Sequence, residues 1–139
     1  MNPYTYKVSL RIEHPTGCPD DWSHQLKISP HRHWQVGKRR SSPTGVSLDG
    51  LNDCSYWSAQ VSGQEPAHSD DQSLEIFLAN QLIILEQHSA LFSRLTNEGG
   101  RVEFFIGLFG SSNFGFVLDH ALVLQLASIH VSLSFDIYP

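Results

Sequence analysis

The residues best suited to bind something lie close together. His31-Arg32-His33-Trp34-Gln35-Val36-Gly37-Lys38-Arg39-Arg40 combines cations, imidazoles and an indole in one short stretch. Arginine pairs with carboxylate or phosphate through a planar fork of donors, and Arg and Trp are the residue types that anchor interfaces. His31 and His33 alternate, which on a strand places both on one face. The candidate binding residues are therefore His31, Arg32, His33, Trp34, Lys38, Arg39 and Arg40. The plainer alternative is that Trp34 packs on a sheet and the cations are solvated.

Other chemistries lack a matching pattern. Histidine is plentiful, at 14, 24, 31, 33, 68, 88, 120 and 130. A zinc site needs three or four converging ligands, and neither zincin spacing nor a Cys-x-x-Cys pair occurs. No metal and no cofactor is expected. Cys18 and Cys54 are nucleophiles by type, but neither sits in a recognisable elbow, and both read as small buried residues with reduced thiols. Asp20-Asp21 and Asp70-Asp71 fall where helices should begin, so capping explains them better than acid–base work. Gly107, Gly110 and Gly115 follow a strand without the Lys-Ser/Thr of a phosphate loop. No catalytic residue is assigned, and a non-enzyme is favoured.

The elements that must carry the stretch are legible by period. Tyr4 to Glu13 alternates Tyr4, Tyr6, Val8, Leu10 and Ile12 with polar residues, and Val131 to Tyr138 does the same with Val131, Leu133, Phe135 and Ile137. Such strands belong to a sheet covered on one face only. Further strands are expected near 54–61, 101–109 and 113–117, with part of another at Val46-Ser47-Leu48. Phe105 and Phe109 lie opposite the apolar set of 101–109, which suggests a central strand. A short helix is expected after Thr16 or Cys18, with Pro19 in its first turn, Trp22 and Leu26 buried, and Ser29-Pro30 ending it. Ser69 and Gln72 have capping-box spacing ahead of a helix with a Leu74, Phe77, Leu78, Leu85 stripe, widened by Ile76, Leu82, Ile83 and Ile84. A break near His88-Ser89 precedes a further turn with Leu91, Phe92 and Leu95. Asp119 caps the next helix, whose inner stripe is Leu122, Val123 and Leu126.

Composition bounds the function. The chain of 139 residues is 40% hydrophobic and 17% charged, which suits one folded domain. No apolar run approaches the roughly 20 residues of a membrane span. Met1-Asn2-Pro3-Tyr4 is not followed by a signal-peptide core, so the cytoplasm is the expected compartment. The formal charge is −5, with no Lys or Arg between Ser41 and Ser93. Such a chain is poorly suited to nucleic acid and better suited to a basic protein partner.

Four places together resemble a largely bacterial family known as domain of unknown function 4279. They are Val8-Ser9-Leu10-Arg11-Ile12; Leu26-Lys27-Ile28-Ser29-Pro30 followed by Trp34 and Gly37; Tyr56-Trp57-Ser58; and the helix and strand ending Phe135-Asp136-Ile137-Tyr138. The resemblance implies a small α+β domain and brings no catalytic residues. Some small families of this size and layout are immunity proteins against bacterial toxins, an analogy of fold alone.

The expected molecule is a single α+β domain over 1–139. It has a mostly antiparallel sheet of four to five strands, with about three helices packed on one face. The expected role is a non-enzymatic protein-interaction or binding module, with an immunity-type protein as one form. The alternative is a small-ligand-binding protein or enzyme using the 31–40 loop. A homodimer is a further expectation, through an outer face made partly apolar by Tyr56, Phe105, Phe109 and Tyr138.

Overall fold

The structure, a computed structural model, describes residues 2–139. Its centre is a six-stranded sheet. In chain order the strands are β1 (Thr5–His14), β2 (Arg32–Trp34), β3 (Arg39–Ser41), β4 (Ser47–Leu51), β5 (Ser55–Gln60), β6 (Ala67–His68), β7 (Arg101–Phe109) and β8 (Val131–Tyr138). The sheet runs β2-β5-β1-β7-β8, with β6 also paired to β1, while β3 and β4 form a separate hairpin. All pairs are antiparallel except β7 with β8. That parallel pair needs a crossover, and α4 (His120–Ser128) supplies it.

The alternation in β1 does what its period demands. Tyr4, Tyr6, Val8, Leu10 and Ile12 are buried, and they meet Trp57 and Ala59 of β5 and Val102, Phe104, Ile106 and Leu108 of β7. Fully burying a side chain of this size contributes about 1.5–3 kcal/mol. The helices close this same face. α1 (Pro19–Leu26) contributes Trp22 and Leu26, α2 (Leu74–Leu85) contributes Leu74, Phe77, Leu78, Leu82 and Leu85, α3 (Ser89–Asn97) contributes Leu91, Phe92 and Leu95, and α4 contributes Leu122 and Leu126. The opposite face carries no helix.

The α+β class and the single helical layer are as the periodicity predicts, and β7 is central. Several details differ. The sheet gains β2 and β6, too short to carry a period, and four helices form where three and a further turn were expected. Residues 113–117 are not a strand. Phe114 and Phe116 alternate there because they pack into the edge of the core, with Phe114 stacked on Tyr4 at 4.8 Å, while the backbone makes no ladder. The capping box at Ser69 and Gln72 does not form. Ser69 Oγ accepts from the Tyr4 amide, and α2 starts four residues later, with Ser73 accepting from the Ile76 amide. α1 ends before Ser29, on Lys27 in the left-handed region. Ile76, Ile83 and Ile84 are exposed, as is Val123 on α4. Leucines at helical spacing already fill the space under α2, and the isoleucines fall on its far side.

Candidate binding face

The face of the sheet without helices is where side chains capable of recognition converge. Alternation sends Lys7, Ser9, Arg11 and Glu13 of β1 outward. Register sets Arg11 opposite Glu103, Glu13 opposite Arg101 and Ser9 opposite Phe105 on β7. On the other flank Arg11 faces Ser58 and Glu13 faces Tyr56, and β2 sets Arg32 beside Ser58 and Trp34 beside Tyr56. Four strands thus hold these side chains in fixed rows.

Arginine on aromatic ring is the recurring contact. The Arg11 guanidinium carbon lies 4.4 Å from the Phe105 centroid and 5.6 Å from that of Tyr56. Arg32 lies 4.8 Å over Trp34, which itself stacks on Tyr56 at 4.2 Å and 14°. A guanidinium over a ring face is attracted by the ring's quadrupole. Glu103 is buried beside Arg11, at 3.7 Å from its Nε, and beside Arg101 at the same distance; Arg101 also reaches Glu13 at 3.3 Å. Arg11 Nε has no hydrogen-bond partner. Farther along the face, Phe109 stacks on Tyr138 at 4.8 Å, and Gly107 leaves room beside them for a depression of about 160 Å³ reaching Lys7 and Ser9.

The residues picked from the sequence are divided. Arg32 and Trp34 belong to the face. His33 pairs with Trp57, whose side chain is in the core, so it sits on the helix side, and it is exposed. His31 is largely exposed, donates its amide to the Ser58 carbonyl, and has its imidazole pushed below the usual range by partial desolvation against the sheet edge and by Arg32. Lys38 lies in the turn before the hairpin. Arg39 donates to the Leu48 carbonyl at 3.0 Å and Arg40 to the Asp49 carbonyl at 3.3 Å. Every residue of the hairpin strands is exposed, including Leu48 and Leu51. Arg11 and Glu103 form no cluster in the sequence because they are 92 positions apart. Their outward phase in two strands was visible, and their register was not.

The remaining reactive groups do not converge. Among the described residues, no group of three or more His, Cys, Asp or Glu is arranged to hold a metal ion. His14 alone among the histidines is buried, and it is fully used. Its Nδ1 accepts from the amides of Thr16 and Gly17, and its Nε2 faces Glu98 at 3.0 Å. Cys18 and Cys54 are both free. No helix is long and apolar enough to cross a membrane.

Comparison with known families matches residues 4–139 to the family described as "Domain of unknown function (DUF4279)". The chain belongs to this family. The match spans all the elements above, so this DUF4279 domain is both the sheet and its helical layer. No curated protein and no solved structure matches the chain significantly.

Proposed function

We propose that this DUF4279 domain is a non-enzymatic interaction module whose uncovered sheet face docks an acidic segment of a partner protein. The observation that carries this reading is the pair of stacked guanidiniums on one face of the sheet, Arg11 of β1 on Phe105 of β7 and Arg32 on Trp34 of β2, with β5 between β2 and β1. Charge distribution supports the sign of the partner. Lys7, Arg11, Arg32 and Arg101 lie on the face and Lys38, Arg39 and Arg40 flank it, leaving Lys27 and Arg94 as the cations elsewhere. The face's own carboxylates are Glu13, Glu103 and Asp136, and two of these are engaged by arginine. The basic partner suggested by the net charge of −5 therefore suits the other surfaces, whereas a carboxylate-bearing partner suits this one. An immunity-type role is one form of the reading, in which the partner is a toxin encoded nearby.

The test is a display of 15-residue peptides spanning a wide range of net charge, probed with the wild-type chain and with Arg32→Glu/Arg40→Glu. Acidic peptides should be enriched, retention should fall with salt, and the variant should lose them while keeping its circular dichroism spectrum. Preference for basic peptides, or equal retention by the variant, refutes the docking face.

A further inference from the structure

β8 is an edge strand, and its outer edge has little of the usual protection. It pairs with β7 alone, and among the described residues no other hydrogen bond reaches its backbone. Proteins blunt such edges with Lys, Pro, bulges, very short strands or a covering loop. β8 runs for eight residues in unbroken register, contains neither Lys nor Pro, and bears one charge, Asp136. The opposite edge, β2, is three residues long and carries Arg32.

Toward its C-terminal end β8 also exposes apolar side chains, whereas Val131 at its start is buried. Phe135, Ile137 and Tyr138 are 38%, 66% and 45% exposed. On the helix side, Phe135 and Ile137 line a cleft of about 490 Å³ together with Leu108, Phe114 and Phe116.

We propose that a second copy of this chain covers this edge, the two β8 strands pairing antiparallel about a two-fold axis. Residues directly opposite in an antiparallel pair share a face, so the axis must pass beside a residue. Two registers pair most of the strand. Centred on Ser134, Asp136 lies opposite Ser132 of the second copy; centred on Phe135, it lies opposite Ser134. In both, a carboxylate meets a hydroxyl that can donate to it and never meets its own copy. In both, Ile137 falls beside Val131 or Leu133 of the second copy, so exposed apolar side chains meet apolar partners. A foreign strand must offer the same alternation of hydroxyls and aliphatics, and β8 already has it. The product is one continuous sheet with all helices on one side and two arginine–aromatic faces side by side on the other.

Light scattering at micromolar concentration should give twice the mass of one chain. Ile137→Lys puts a cation among the apolar partners at an exposed position, and should halve that mass without changing the circular dichroism spectrum. Ile83→Lys, on the exposed side of α2, should keep the doubled mass. Hydrogen exchange supplies an independent readout on the wild type. The amides of 131–138 that point away from β7 should be protected when concentrated and become fast on dilution. A single-chain mass for the wild type overturns the proposal. So does a doubled mass that survives Ile137→Lys, or fast exchange at those amides in the concentrated protein.

Discussion

Arg11 stacks on Phe105 at 4.4 Å although its directly opposite neighbour in the sheet is Glu103. The diagonal contact exists because Ser9, opposite Phe105, is too small to fill the space between the strands. One guanidinium therefore serves a ring and a buried carboxylate together. Removing it affects both.

Arg11→Met keeps most of the aliphatic contact and removes the charge, leaving Glu103 buried with Arg101 alone. The expected cost is about 1–3 kcal/mol, since one partner of a largely buried ion pair is lost. Glu103→Gln in the same background should cost less than it does alone, because the two residues are coupled. Urea unfolding of the single and double variants measures both quantities, and full additivity would show that the pair does not interact.

These two residues also show what a sequence can carry. Their outward phase follows from alternation within Tyr4–Glu13 and Arg101–Phe109, and the buried phase of both strands is as the alternation requires. Their meeting depends on cross-strand register, which no local pattern encodes. Conversely, Ser69 and Gln72 have the local spacing of a cap, yet the Tyr4 amide takes the Ser69 hydroxyl and the helix starts later. Phe114 and Phe116 have strand spacing without a ladder, because core packing can be met by an irregular chain. The 31–40 stretch is contiguous in sequence but not on one face of the sheet. A three-residue strand divides it, sending Arg32 and Trp34 to one face and His33 to the other.

α2 offers a direct contrast between two apolar positions on one helix. Leu78 is fully buried and Ile83 is 69% exposed. Leu78→Ala should cost about 2–5 kcal/mol through lost burial and the cavity it leaves. Ile83→Lys should change stability by no more than about 0.5 kcal/mol. A large loss at Ile83 in thermal or urea unfolding would place that side chain in an interface.

Cys54 should be a slow thiol. Burial, then Glu13, then Asp53 push its thiol above the usual range, because each disfavours the thiolate. With a raised value, the thiolate fraction at neutral pH falls and the rise in reactivity moves to higher pH. In a Cys18→Ser background, the iodoacetamide rate profile of the native chain should lie alkaline of that of the same chain unfolded in urea. Asp53→Asn should bring it part of the way back. Coincident native and unfolded profiles would refute the assignment.

Gly100 joins α3 to β7 at a point where backbone and a buried histidine crowd it. A Cβ there would lie 2.8 Å from the His14 Cδ2, 2.8 Å from the Leu95 carbonyl oxygen and 2.9 Å from the Glu13 carbonyl oxygen. Two of these three neighbours are backbone, so they cannot swing aside, and His14 is held by three hydrogen-bond contacts of its own. Gly100→Ala should therefore destabilise by about 1–3 kcal/mol through overpacking. At Gly63 nothing lies within 4 Å of the added carbon, and the strain arises only from its φ of +94°. Gly63→Ala should cost about 1 kcal/mol, the left-handed penalty alone. His14→Ala separates the two mechanisms. It removes the contact with Cδ2 but leaves both carbonyl oxygens in place, so it should relieve only a minor part of the Gly100→Ala loss in a double-variant unfolding experiment. Complete relief would put the whole clash on the imidazole.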